Sequence, residues 1–231
     1  LTEQGITILN DVTLNSVSND GNKPVITANG QNYTFDAVLY ATGRKPNTAN
    51  IGLENTDITT NERGAIVVND TCESSVPGVY AVGDVNGGPQ FTYISLDDFR
   101  IVFGALTGNV QYTLKDRKNI PYTTFLTPPL ARVGLTEEDA INKGYTVKTK
   151  EMLVATMPRA HVNDYLKGAF KIVVNAENNL ILGATLYSQG AEELINLIKM
   201  AMDNNIPYTY FKNQIFTHPT MAENLNDLCN F

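Results

Sequence analysis

Cysteine is scarce. Only Cys72 and Cys229 occur, far apart in sequence. That argues against a secreted scaffold stapled by disulfides and makes the cytoplasm the expected location. Basic residues are in deficit: 17 Lys and Arg face 24 Asp and Glu, a formal charge of −7. Such a balance leaves no electrostatic footprint for nucleic acid or an anionic membrane surface. No run approaches the ~18 apolar residues of a spanning helix, and no signal-peptide pattern opens the sequence. Cys-x-x-Cys, Gly-x-Gly-x-x-Gly and Walker loops are missing, there are two histidines, and nothing clusters like a metal site. Internal repeats and low-complexity tracts are absent as well. The Asn-x-Ser/Thr matches at Asn32 and Asn69 read as chance.

What is present is a packable chain, 42% hydrophobic over 231 residues, well clear of a disordered composition. It starts with Leu1 rather than Met. Residues 1–9 read as the end of a helix running into a strand at 6–9, the pattern of a piece of a longer protein. Short β-branched runs follow at 12–17, 25–27 and 31–35, separated by turns at Asn19-Asp20-Gly21-Asn22 and Asn29-Gly30. Residues 37–41 and 79–82 are nearly continuous apolar runs, as expected of strands buried on both faces. Residues 65–68 read as a further short strand.

A helix is expected from about Thr92, with Ile94, Phe99, Val102, Phe103 and Leu106 on its apolar face and Gly108 as its stop. The polar stretch 112–119 and Pro121 mark a domain boundary. Beyond it strands are expected at 123–126, 131–133, 147–155, 169–174 and 180–187, with Asn178-Asn179 turning the last hairpin. Helices are expected after Thr136, ending at Gly144, and over 191–202 and 219–228. His161 falls in an expected loop between strands and reads as structural or exposed.

Three motifs carry chemistry. Thr42-Gly43-Arg44-Lys45-Pro46-Asn47 ends an apolar strand. Gly43 there either serves a turn or admits close approach of a ligand. Val79-Tyr80-Ala81-Val82-Gly83-Asp84 sets a carboxylate at the carboxyl edge of a sheet, where open α/β sheets bind ligands. Asp84 either caps a turn or accepts hydrogen bonds from sugar or ribityl hydroxyls. Thr92, eight residues on, is either an N-cap or the opening of a helix whose N-terminus suits an anionic group. In Phe216-Thr217-His218-Pro219-Thr220-Met221-Ala222-Glu223, Pro219 suits a first helical position. His218 and Glu223 form either a general acid/base pair or a surface histidine beside a Thr220–Glu223 capping box.

In this order and at these spacings the three motifs resemble the C-terminal half of the flavin-dependent pyridine nucleotide-disulfide oxidoreductases, among them glutathione reductase, dihydrolipoamide dehydrogenase and mercuric reductase. Gly88-Pro89-Gln90-Phe91-Thr92-Tyr93 and Pro121-Tyr122-Thr123-Thr124-Phe125-Leu126-Thr127-Pro128-Pro129 are similar to the bacterial reactive-chlorine-resistance branch. So is the stretch from Ile215 to Leu228. The resemblance implies α/β plus α+β architecture. Residues 1–45 correspond to the end of an NAD(P)H-binding domain, 46–118 to part of an FAD-binding domain, and 121–231 to an α+β dimerisation domain.

The resemblance also implies FAD and NAD(P)H as cofactors of a homodimeric parent, with no flavin expected on this chain alone. Gly43, Gly83, Asp84 and Thr92 would line the flavin, Asp84 holding its ribityl chain. His218, held by Glu223, would shuttle a proton at sulfur across the two-fold interface. The implied substrate is hypothiocyanous acid or a related reactive chlorine species. The open alternatives are a dihydrolipoamide, disulfide or metal-ion reductase, or a dimerisation module alone. The family's FAD glycine loop, nucleotide fingerprint and redox cysteine pair lie outside this sequence, and Cys72 and Cys229 do not stand in for that pair.

Overall fold

Turn chemistry sets the first sheet. Asn29 and Gly30 both take positive φ, 49° and 75°, the conformation a two-residue hairpin needs. They join β2 (Pro24–Ala28) to β3 (Gln31–Thr34), and β1 (Leu14–Asn19) pairs with β2 through the turn at Asp20-Gly21. All pairing in this three-stranded sheet is antiparallel, and of its residues only Ala28 is buried. The structure, a computed structural model, describes residues 2–231. Leu1, part of the expected helix end, lies outside the described residues, and Thr2–Gln4 form a single 3-10 turn.

The apolar runs expected as buried strands take another course. Residues 6–9, 37–41 and 79–82 belong to no strand. Leu39 is 90% exposed. Tyr80 makes one isolated bridge to Glu73, and Ile66 one to Thr60, in place of a strand at 65–68. A strand exists only through a hydrogen-bonded neighbour, and among the described residues these segments have none beyond those bridges. Their composition signals a central strand; the neighbouring strands are not supplied here.

The first long helix, α1 (Thr92–Leu106), begins and stops where expected, with Gly108 at positive φ just beyond it. Its buried face differs. Ile94, Asp98 and Ile101 turn inward, at i, i+4 and i+7, while Phe99, Phe103 and Leu106 remain exposed. The inward face is built around a carboxylate. Asp98 is fully buried and accepts hydrogen bonds from Gly83 N (2.8 Å), Asn86 Nδ2 (2.9 Å) and Arg117 Nη2. Arg117 also donates from Nε to Asp97 Oδ2 at 2.8 Å. Burial alone would lower the guanidinium's pKa, but the bonds and charges of Asp98 and Asp97 outweigh it and raise it. One carboxylate thus ties the Gly83 loop, α1 and the segment after it.

Beyond residue 121 the main core forms. β4 (Tyr122–Thr124), β5 (Leu130–Gly134), β6 (Val147–Leu153), β7 (Ala169–Asn175) and β8 (Ile181–Tyr187) make an antiparallel sheet in the order β4-β5-β8-β7-β6. α2 (Glu137–Asn142) opens on a capping box in which Thr136 Oγ1 accepts from Asp139 N. α3 (Pro158–Val162) occupies the expected loop. It carries His161, exposed, with Nε2 2.8 Å from Ala155 O.

α4 (Ala191–Asp203) buries Ala191, Leu194, Ile195, Ile198 and Ala201 against β5 and β8, the periodicity of an amphipathic helix. α5 (Tyr208–Asn213) and α6 (Asn224–Leu228) complete the layer, α6 packing on β6 and β7. The last helix therefore starts five residues later than expected. Pro219 does not stand at a first helical position, because α6 has Glu223 as its N-cap. Residues 218–219 and 221 are bends and 222–223 a turn instead.

Both cysteines are free and buried, Cys229 in the core formed beyond residue 121 and Cys72 on a segment whose carbonyl accepts from Ala81 N. Burial pushes the Cys229 thiol up to about 12. Burial, with the charge of Asp98, pushes Cys72 up to about 11. The fold holds these protons longer than an unfolded chain, whose thiols titrate near ~8.5. Their stabilising contribution is complete below that pH and is lost as pH rises toward 11 and 12. Cys229→Ala should flatten the alkaline fall in unfolding free energy, and both thiols should react with an aromatic disulfide at pH 8 only once denaturant is added. Asp98→Ala should cost about 3–5 kcal/mol in urea unfolding, because it takes one of two carboxylate partners from the buried Arg117 guanidinium and leaves the Gly83 amide and the Asn86 side chain without their acceptor. A loss below about 1 kcal/mol would mean the pair behaves as a surface contact.

Candidate functional site

The Gly83 loop is a 3-10 turn, Gly83–Asn86. Gly83 has φ 73°, and a Cβ there would lie 2.8 Å from Ser95 Oγ on α1. Only glycine lets the loop sit this close to the helix, and the amide of Gly83, bonded to Asp98, fixes the direction of the chain. Asp84 is thereby held at the rim, half exposed. Its Oδ2 accepts from Arg44 Nη1 at 3.0 Å, so the first two motifs meet. The Arg44–Asp84 pair is open to solvent and contributes at most about 1 kcal/mol; its role is geometric. Oδ1 of Asp84 has no partner among the described residues. Gly43, before Arg44, takes φ 101° with no atom within 4 Å of a built Cβ, so conformation rather than crowding calls for glycine there.

These groups open on a cleft of about 1130 Å³. One wall is Arg44, Gly83, Asp84 and the start of α1; the other is β4 and the first turns of α4, with Glu192 and Lys199. Thr92 is the first residue of α1, and Phe91, not Thr92, is the N-cap, with no side-chain cap bond. The backbone N–H groups of Thr92 and Tyr93 consequently have no acceptor among the described residues. Phe91 stacks on Tyr93 and Tyr122, and the Tyr93 hydroxyl donates to Pro121 O at 2.6 Å, bracing the mouth of the helix against the second unit.

A flavin suits this lining. Asp84 offers a free acceptor oxygen for hydroxyls, Gly83 a surface without a side chain, and α1 two unused donors and the positive end of a 15-residue helix.

His218 and Glu223 do not line this cleft. They lie on the hook between α5 and α6. His218 Nδ1 is 2.8 Å from Glu223 Oε2; the imidazole is 70% exposed and the carboxyl 18%. The hydrogen bonds of both readings are present, although Thr220 caps no helix, since α6 starts at Asn224. Glu223 Oε1 accepts from Thr220 N, and Thr220 Oγ1 accepts from Glu223 N, both at 3.2 Å. One carboxylate oxygen closes the turn and the other holds the imidazole, leaving Nε2 without a partner among the described residues.

Sequence reasoning passed over Asp98, Arg117 and the cleft's aromatic group. A helical wheel drawn through Ile94 and Ile101 would have flagged Asp98. It gives no sign of Arg117, whose approach is tertiary. Glu192 was likewise missed: its Oε2 is buried beside the cleft without a hydrogen-bond partner. No group of three or more His, Cys, Asp or Glu suited to a metal exists among the described residues. No helix among them is long and apolar enough to cross a membrane.

Comparison with known proteins bears on all of this. The profile of the pyridine nucleotide-disulphide oxidoreductases matches residues 1–98, and that of their dimerisation domain residues 120–229. A probable pyridine nucleotide-disulfide oxidoreductase of Escherichia coli (strain K12), RclA, is 43% identical over 228 residues, 99% of this chain and 52% of the relative. A mercuric reductase of Staphylococcus aureus is 36% identical over 97% of this chain and 42% of its own length. The solved structure of the HOCl-induced flavoprotein disulfide reductase RclA from Escherichia coli superposes with a TM-score of 0.94 at 42% identity, covering 99% of this chain and 52% of that one. The chain spans about half the length of the relatives it matches. With nearly its whole length matched by two profiles of one family, and a mixed α/β architecture that superposes on a solved member, the chain belongs to the pyridine nucleotide-disulphide oxidoreductases.

Proposed function

We propose that the chain is the C-terminal half of a cytoplasmic, homodimeric FAD-dependent NAD(P)H oxidoreductase that reduces hypothiocyanous acid or a related reactive chlorine species through a cysteine pair. Residues 1–45 end its nucleotide-binding domain, 46–118 complete its flavin domain, and 121–231 form its dimer interface. The observation that carries the reading is the His218–Glu223 pair, a hydrogen-bonded imidazole presented to solvent away from its own chain's cleft. A group so placed can serve the cleft of a second copy, as a shared site requires. A relative described as a flavoprotein disulfide reductase supports the chemistry.

Bound FAD would supply the two-electron relay between nicotinamide and cysteine sulfur. The chain's own residues do the rest. Asp84 binds hydroxyls of the flavin side chain with the oxygen that Arg44 leaves open. The free amides at the start of α1 favour negative charge beside them. His218 holds a proton at Nε2 for transfer to and from sulfur, its ring fixed by Glu223. Neither buried cysteine takes part: both are held as thiols, and the thiolate is the reactive form.

In the full-length protein, His218→Ala should lower turnover with the oxidant by about 10²–10⁴. Bleaching of flavin absorbance by NAD(P)H should stay near the wild-type rate. Stopped-flow spectroscopy separates the two, and a variant slow in bleaching but normal in the oxidative half would overturn the assignment. Asp84→Ala should weaken flavin retention by the roughly 1.5–3 kcal/mol of a charge-assisted hydrogen bond. Dialysis followed by absorbance at the flavin band measures it; full retention would reduce Asp84 to a turn residue.

A further inference from the structure

The hook that carries His218 and Glu223 is only partly anchored by packing. Ile215 is 95% exposed. Phe216, Met221 and Ala222 are partly buried and pack against the core. Its hydrogen bonds are mostly internal: Thr220 Oγ1 to Thr217 O, and Asn224 Nδ2 to Thr220 O and Met221 O. These shape the hook without attaching it.

Asn226 adds a polar attachment at its base. From the first turn of α6 its Nδ2 donates to Phe211 O at 2.7 Å and Gln214 O at 2.9 Å, with Lys212 O at 3.3 Å. Those carbonyls lie at the end of α5, where a helix leaves its last carbonyls unbonded. One primary amide thus satisfies the exit of α5 and closes the loop at its base. It is also the residue whose backbone N–H bonds Glu223 O. On the far side of α6, Lys150 Nζ donates to Asp227 O and Asn230 O at 2.7 and 2.6 Å, fixing the end of the helix but not the hook.

We propose that Asn226 is a positioning residue for the His218–Glu223 pair: by locking α6 to the end of α5 it sets the distance at which the Glu223 carboxylate meets the imidazole. It touches neither substrate nor cofactor and acts only through Glu223. The inference rests on the reading of His218 as a proton carrier for its importance, but not for its test.

The test uses this chain labelled with [15N]histidine. There are only two histidines, and His218→Gln assigns the second ring. At alkaline pH the ring nitrogen shifts report which nitrogen carries the proton. The wild type should show Nδ1–H at His218, and Glu223→Gln should define the unanchored ring. Asn226→Leu, or Asn226→Ala if the leucine variant does not fold, should move the His218 shifts at least half of the way to the Glu223→Gln values. The His161 signals should stay still. Ile172→Val, a trim of the sheet core, provides a variant of lowered melting temperature that should leave His218 unchanged. Wild-type His218 shifts in a destabilised Asn226 variant would overturn the proposal and leave Asn226 a purely structural residue. A failure of the proton-carrier reading would instead appear only as normal oxidant turnover in His218→Ala, with these spectra unaffected.

Discussion

A single buried carboxylate organises the half of the molecule that faces the cleft. Asp98 has no solvent, and its oxygens are taken up by the Gly83 amide, the Asn86 side chain and the Arg117 guanidinium. Desolvating that charge is expensive, and only this full set of donors offsets it. The arrangement therefore tolerates no partial version: the loop bearing Asp84, the pitch of α1 and the return of the chain at Arg117 hold together or fail together. That is why a surface carboxylate can stand in a fixed place at the cleft's rim on a loop of four residues, Gly83–Asn86.

The second unit is organised by burial instead. Its core runs from Ala131 to Cys229 and joins the five-stranded sheet to α4, α5 and α6. Polar devices steer the chain at particular points. The capping box at Thr136 starts α2, and the divided carboxylate of Glu223 closes a turn while holding a ring. Glu223 uses its two oxygens separately, one on the Thr220 amide and one on the His218 ring.

Legibility followed the reach of the signals. Hairpin turns at Asn29-Gly30 and Asn178-Asn179, the start of α1, the start of α2 and the amphipathic face of α4 are local, set by φ preference, capping or period, and could be read from neighbours in sequence. The apolar runs at 37–41 and 79–82 misled because strand formation depends on a partner that composition cannot supply. The face of α1 misled because Phe99, Phe103 and Leu106 outweigh Asp98 in any count of apolar residues, although Asp98 lies on the side that packs. His218 and Glu223 were visible as a pair from their spacing. Asn226 was not, because its acceptors are backbone carbonyls that carry no mark of residue type.

The contrast between the two sheets has a consequence for how the chain comes apart. β1, β2 and β3 bury one alanine among them and make no sandwich with a helix, whereas the five-stranded sheet sits inside a continuous core. Two- and three-stranded ribbons without an apolar backing are marginal in water. Opening of this three-stranded sheet should therefore be frequent and local, while the five-stranded sheet opens only with its whole core. The two sheets are in this sense of very different depth, and a backbone amide's exchange lifetime would depend on which of them holds it.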